Sequence, residues 1–201
     1  MRLWHNPASP FARKVRVVAR ELHLTQALEE ISVLVSPVNP NQTLAKVNPL
    51  VKIPTLQTDD GVVLYDSSVI CEYLEHTYGQ HNLIPNGAQR WQTLRLQSLC
   101  DGVLDAAVLC RYELAVRPEA YRWDAWVEGQ FFKINNGLTV LNQSVSDFGE
   151  SFQLGHISVA CVLGYLDFRF ADHAWREKQP ALAKWYETIK GRDSLTSTLP
   201  S

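Results

Sequence analysis

A serine stands where the first apolar segment gives way to the first helical one: Asn6-Pro7-Ala8-Ser9-Pro10-Phe11-Ala12-Arg13-Lys14. Ser-Pro is an efficient helix start, because the hydroxyl caps free N–H groups and the proline brings a preset φ. The same position can do chemistry. A hydroxyl at a helix N-terminus faces a cluster of N–H donors and the positive end of the helix dipole, where an anion is stabilised. Two later segments place polar groups at comparable junctions. Asn48-Pro49-Leu50-Val51-Lys52-Ile53-Pro54-Thr55-Leu56 opens a strand on a proline, which fits an edge or a turn. Leu64-Tyr65-Asp66-Ser67-Ser68-Val69 closes a strand and opens a helix, with Asp66 as its N-cap.

The elements that must position these residues follow from periodicity. Arg2 to His5 reads as a short strand. Pro10 to His23 reads as an amphipathic helix, with Phe11, Val15, Val18, Ala19 and Leu22 at helical spacing. Leu28 to Leu34 is β-branched enough for a second strand, and the two prolines in 36–41 demand a loop. Pro54 to Thr58 and Val62 to Tyr65 form a hairpin around Asp59-Asp60-Gly61. A helix from Asp66 to Tyr78 stops at Gly79, expected as its C-cap. The order is β-α-β-loop-β-β-α, a thioredoxin-like arrangement in which a helix between the first two strands makes them parallel. Redox proteins of that arrangement carry Cys-x-x-Cys at the first turn. Here it reads Ser9-Pro10-Phe11-Ala12, so the chain's own thiols cannot exchange disulfides there. Residues 80–87 are polar and turn-rich and read as a linker. Beyond them only helical patterns occur: Ala88 to Val116, Glu119 to Val145, Leu154 to Phe170 and Ala181 to Lys190.

The balance of 19 basic against 21 acidic residues, without runs of either sign, gives no footprint for nucleic acid or a membrane surface. The longest apolar run, Val159 to Leu166, is too short to span a bilayer, and the first residues lack a signal-peptide pattern. A cytoplasmic protein is expected. Cys71, Cys100, Cys110 and Cys161 are too scattered for a redox or zinc pattern and read as small buried side chains. The histidines show no ligand spacing, so no metal is expected.

Taken together, Ser-Pro-Phe-Ala, then Asn-Pro-Leu-x-Lys-Ile-Pro-Thr-Leu, then Leu-Tyr-Asp-Ser-Ser-x-Ile-x-Glu-Tyr-Leu resembles the soluble, cytosolic-type bacterial glutathione S-transferases with a serine-type active site. Stretches 99–107, 160–169, 185–187 and 192–195 extend the resemblance over nearly the whole chain. It implies a thioredoxin-like β-α-β-α-β-β-α domain at 1–79 that binds glutathione. It also implies a linker at 80–87 and an all-helical bundle at 88–201 that binds a small electrophile. Carried over residue by residue, Ser9 is the catalytic hydroxyl that holds the glutathione sulfur. Ile53, ahead of a cis Pro54, pairs its backbone with the cysteinyl part. Asp66 and Ser67 grip the γ-glutamyl group, and Lys52 meets the glycyl carboxylate. Glutathione is the cosubstrate and a homodimer the expected assembly. Peroxidase or dehalogenase side activities would use the same thiolate. The alternative is a non-catalytic adaptor or ligand-binding protein on the same fold.

Two positions depart from the family pattern. Trp4-His5 replaces the catalytic tyrosine of other classes, which leaves Ser9 to hold the sulfur. Gln153, Leu154, Gly155 and His156 replace a Thr-x-x-Asp capping box, so a weak helix start is expected there. On the fourth helix Asp101, Asp105, Val108 and Tyr112 share one stripe, which reads as a polar face at an interface or, through Tyr112 and Arg111, as part of an electrophile pocket.

Overall fold

The structure, a computed structural model, describes residues 1–201. They fall into two compact units, one of residues 1–90 with 193–201, the other of residues 91–192.

The first unit is built on β1 (Arg2–His5), α1 (Pro10–Glu21), β2 (Glu29–Ser32), α2 (Gln42–Ala45), β3 (Thr55–Gln57), β4 (Val63–Leu64) and α3 (Ser67–Leu74). The sheet order is β2-β1-β3-β4. β1 runs parallel to β2 (Trp4 beside Ile31) and antiparallel to β3 (Trp4 beside Thr55), and β3 pairs antiparallel with β4. The loop at 36–41 leads into the short α2. Asn41 caps it by accepting from the Thr43 and Leu44 N–H groups at 3.1 and 2.9 Å, which completes β-α-β-α-β-β-α. At the β3–β4 turn Gly61 takes φ +88°, and its N–H donates to the Thr58 carbonyl at 3.0 Å.

The helix after β4 ends differently from the expectation. α3 stops at Leu74 and continues as a π-type turn, Glu75–Gly79, and the left-handed residue is Gln80 at φ +51°. Gly79 is needed for space instead. The buried Glu75 carboxylate fills the volume that a Cβ there would take, and its Oε1 accepts the Leu83 N–H at 3.0 Å.

Leu3, Val15, Val18, Leu44, Leu56, Ile70 and Leu74 form the buried apolar centre of this unit. Three basic residues of α1, Arg13, Lys14 and Arg16, are buried as well. Arg16 Nε and Arg20 Nη1 donate to the two oxygens of Glu30 at 2.7 and 3.0 Å. Burial works against the charged carboxylate, but the two guanidinium groups overcome it and hold Glu30 below the ordinary range. Arg13 Nη2 donates to the Leu195 carbonyl at 3.1 Å. Its acceptor belongs to α9 (Asp193–Thr196), so residues 193–201 are part of the first unit.

The second unit holds most of α4 (Ala88–Ala115), then α5 (Asp124–Ser144), α6 (Leu154–Arg169), α7 (Trp175–Lys178) and α8 (Pro180–Ile189). Every residue of α6 from Leu154 to Leu166 is buried, so the longest apolar run of the sequence is the core of this unit. Cys100, Leu104, Ile134, Leu138, Leu141 and Leu182 supply buried side chains from α4, α5 and α8. Gly155 lets α6 approach α4, because a Cβ there would meet the Leu96 side chain at 2.8 Å.

The start of α6 corrects a second expectation. His156 stands where an acid would, and its Nδ1 accepts the Gln153 N–H at 3.0 Å. Gln153 Oε1 in turn accepts from the Thr93 hydroxyl at 3.0 Å. Burial keeps the His156 pKa low despite a hydrogen bond to the Ser151 backbone, and the neutral ring retains the lone pair that this cap requires. His156 also packs edge-on against Phe148, with centroids 5.1 Å apart. The helix is capped by a histidine.

Candidate functional site

The strand register brings the sequence-derived site together. β1 ends at His5, β3 begins at Thr55 beside Trp4, and β4 runs back along β3 to Leu64, opposite Leu56. The segments following β1, preceding β3 and following β4 therefore emerge at one end of the sheet. They carry Ser9, Ile53-Pro54 and Asp66-Ser67.

Ser9 is the half-buried N-cap of α1, with extended backbone and its Oγ accepting the Ala12 N–H at 3.2 Å. That bond uses an oxygen lone pair and leaves the hydroxyl proton to donate elsewhere. Asn6 sets the turn, a role the sequence reading missed. Its Oδ1 accepts the Ala8 N–H at 3.0 Å, its Nδ2 donates to the Val33 carbonyl at 3.2 Å, and its carbonyl accepts the Ser9 N–H at 2.9 Å. An asparagine one turn before a helix is a recognisable turn former, and this was the available signal.

The Ile53–Pro54 peptide bond is cis, as the Lys-Ile-Pro-Thr segment led us to expect, and Tyr65–Asp66 is cis as well. Neither the N–H nor the carbonyl of Ile53 pairs with another backbone group, leaving a short free strand edge ahead of β3. Asn48, fully buried, holds this segment in place. Its Nδ2 donates to the Lys52 carbonyl at 3.1 Å and to Thr55 Oγ1 at 2.9 Å, while its Oδ1 accepts the Leu50 N–H at 2.9 Å. Thr55 Oγ1 donates to the same Lys52 carbonyl at 2.8 Å. Val51 between them sits at φ +53°, uncommon for a β-branched residue, and its N–H is tied to the Asn48 carbonyl at 2.9 Å. Asn48 belongs to the Asn-Pro-Leu-x-Lys-Ile-Pro-Thr-Leu segment, yet its role depends on side-chain direction, which the sequence does not state.

Asp66 is the exposed N-cap of α3, where Oδ1 accepts the Ser68 N–H at 2.9 Å. Ser67 is buried, and its hydroxyl forms no hydrogen bond within the protein. The first turn of α3 thus joins one carboxylate, one unused hydroxyl and free N–H donors, which suits a zwitterion that presents both an amine and a carboxylate. Lys52 directly precedes Ile53 in the chain, and its ammonium is exposed and forms no ion pair. Arg111 and Tyr112 lie in the second unit, both half-buried, with the Tyr112 pKa raised by burial.

All four cysteines are reduced and buried, and burial pushes the Cys110 thiol up to about 11, so that thiol is not poised as a nucleophile. No three His, Cys, Asp or Glu residues cluster as a metal site, and no single helix is long and apolar enough to cross a membrane.

Residues 8–77 match the glutathione S-transferase N-terminal domain family and residues 124–188 the corresponding C-terminal domain family. The chain is 32% identical to the uncharacterized GST-like protein YibF of Escherichia coli K12, over all of its own length and 98% of that relative. The chain belongs to the glutathione S-transferase family. Among solved structures, a glutathione transferase family member from Pseudomonas fluorescens Pf-5 with bound glutathione is 45% identical, with a TM-score of 0.97 and coverage of 100% of this chain and 98% of that one. A second structure of a family member from that organism holds S-(propanoic acid)-glutathione. It is 44% identical, with a TM-score of 0.91 and full coverage of both chains.

Proposed function

We propose that the protein is a glutathione transferase of the serine type, with Ser9 stabilising the glutathione thiolate for attack on a small electrophile. The observation that carries this reading is the convergence of Ser9, the free edge of Ile53 and the Asp66-Ser67 helix start at one end of the sheet. Glutathione is an extended tripeptide with charged ends. Asp66 would take its α-amine and the Ser67 hydroxyl its α-carboxylate. Ile53 would add it as a strand, and Lys52 would meet the glycyl carboxylate.

The chemistry then follows from the cap. A free thiol has a pKa of ~8.5, so only a few per cent is ionised at pH 7. Lowering it by about two units takes roughly 2.7 kcal/mol of preference for the thiolate. The Ser9 hydroxyl, polarised because its oxygen accepts the Ala12 N–H, donates to sulfur, and the first turn of α1 adds its dipole. The S-substituted glutathione held by one relative is the kind of product this reaction makes. Peroxide or halide chemistry would use the same thiolate. We further propose a two-fold homodimer, the expected assembly for this family.

Calorimetry and kinetics on two variants test the assignment. Ser9→Ala should raise the bound thiol's pKa and lower conjugation of a model electrophile about 10- to 100-fold at pH 7, with glutathione affinity little changed. Asp66→Ala should weaken glutathione binding first. Equal conjugation by Ser9→Ala and the parent between pH 6 and 8 would reduce Ser9 to a helix cap. A parent protein that gives no heat with millimolar glutathione would point to the adaptor reading.

A further inference from the structure

A cavity of about 140 Å³ opens beside the C-terminal end of α3, lined by Glu72, Glu75, His76, His81, Ile84 and Arg90. All six belong to the first unit. α3 and the π-type turn after it place Glu72, Glu75 and His76 on one face by i, i+3 and i+4 spacing. Gln80 and His81, at φ +51° and +67°, then turn the chain back, and His81 reaches the same cavity. Ile84, fully buried, gives it an apolar wall.

Glu75 is the unusual member. It is only 3% exposed and forms no ion pair. Its Oε1 accepts the Leu83 N–H at 3.0 Å, but its Oε2 is buried with no hydrogen-bond partner in the protein. A buried carboxylate oxygen without a donor is costly. The guanidinium in the lining does not serve it, because Arg90 Nη2 donates to Glu72 Oε1. The lining thus sets two carboxylates against one guanidinium, at a helix C-terminus, where positive charge is favoured. A metal ion does not suit it, since no three of its acidic and imidazole groups converge on one point. Nor does a guanidinium, which takes both oxygens of a carboxylate side by side, while one of these is committed to Leu83. An ammonium needs a single oxygen and can share its remaining N–H groups with Glu72 or an imidazole nitrogen. At ~30 Å³ per water in the liquid, the volume corresponds to about four or five small non-hydrogen groups. That is room for an ammonium and a short alkyl chain laid against Ile84.

We propose that this cavity binds the primary ammonium end of a small aliphatic amine, with Glu75 Oε2 as the principal acceptor. The site is separate from the groups assigned to glutathione, for Asp66 and Ser67 stand at the opposite end of α3. It does not depend on the conjugation reading.

The test follows backbone amide chemical shifts while the parent protein is titrated, at constant ionic strength, with n-butylammonium, 1-butanol or tetramethylammonium. Butylammonium should bind about tenfold more tightly than the alcohol, which has its shape without its charge. The same margin should separate it from tetramethylammonium, which has the charge without an N–H. The amides of His76, His81 and Leu83 should move, and those of Asp66, Ser67 and Ser68 should not. Glu75→Gln keeps an oxygen for the Leu83 N–H and removes the charge, so it should bring butylammonium to the level of the alcohol. Glu72→Gln, at an exposed position, frees Arg90 to repel the ligand and should weaken butylammonium about threefold, with the alcohol unchanged. No binding of the amine, equal affinity for amine and alcohol, shifts confined to other parts of the chain, or a folded Glu75→Gln that binds like the parent overturns the site. Should Glu75→Gln fail to fold, Glu72→Gln decides in its place, and undiminished amine binding there overturns the site as well.

Discussion

The two units of this chain hold their functional groups in opposite ways. In the first, the groups proposed to hold glutathione are backbone positions and helix caps: the Ser9 oxygen on Ala12, the unpaired edge of Ile53, and the Asp66-Ser67 start of α3. Asn6 fixes the turn that carries Ser9, and Asn48 fixes the segment that carries Ile53, each through short-range hydrogen bonds. In the second unit, the candidates for an electrophile pocket, Arg111 and Tyr112, are half-buried side chains of one long helix, α4. They are placed by a solid apolar core around Leu154–Leu166. A site made from caps and strand edges constrains its local sequence. A site made from projecting side chains constrains only the packing beneath it, so its specificity can change without disturbing the fold.

The largest expected effect tests whether the second unit depends on its core. Leu163, fully buried in α6, should cost about 2–5 kcal/mol when replaced by Ala. Thermal and urea denaturation would show it, while glutathione affinity at 25 °C should change far less. A parallel loss of affinity would break the comparison. The converse is Asn48→Ala. It leaves the Leu50 N–H without its acceptor and frees the Lys52–Thr55 segment, for about 1–3 kcal/mol of stability. Its effect on glutathione binding, by calorimetry, should exceed that of Leu163→Ala. If Leu163→Ala weakens binding more, the first site is less locally held than its hydrogen bonds indicate.

A smaller effect follows from pH. His5, His156 and His173 all have pKa values lowered from 6.5 when folded, in each case chiefly by burial. The unfolded chain therefore binds more protons near pH 6. Stability is complete above about pH 6.5 and is lost as pH falls through the folded values. The Tm at pH 5.5 should lie a few degrees below that at pH 7.5, and His156→Gln should lessen the difference. An unchanged Tm over that range would show that the buried rings take up protons without cost. The smallest effect concerns the α6 cap. Gln153→Thr with His156→Asp should give less than about 0.5 kcal/mol of added stability, because His156 Nδ1 already satisfies the Gln153 N–H and its ring packs on Phe148. A gain of 1 kcal/mol in thermal melts would restore the view that this helix start is weak.

The same contrast explains what could be read from the sequence. The Ser9 and Asp66 caps and the Asp-Gly hairpin were legible because one or two adjacent residues decide each of them, and α1 because its apolar spacing runs over three turns. The short α2 is implied only by the family resemblance, since four residues carry too little periodicity to stand out from a proline-rich loop. Gly79 was read as a helix cap because glycine usually ends helices, whereas here it makes room for Glu75, a contact that depends on a side chain four residues earlier. His156 as a capping acceptor requires a neutral ring, and burial, which the sequence does not show, supplies that condition. Asn48 was missed for a related reason. It matters through what its side chain points at, and direction arises only when loops and strands are packed.

The return of residues 193–201 to the first unit has a consequence for the order in which the protein is made. Arg13 finds its acceptor at Leu195, and Glu21 meets the Ser194 hydroxyl, so α1 is joined to partners about 180 residues downstream. A ribosome delivers the four strands and all of 91–192 before those partners exist. During that interval, a minute or less at ordinary elongation rates of ~5–20 residues per second, the strand-bearing unit is a partial structure with a buried arginine still lacking its carbonyl. The helical unit has no such dependence, for its stretch of chain is continuous. Although it comes second in the sequence, it is the unit that can be finished first.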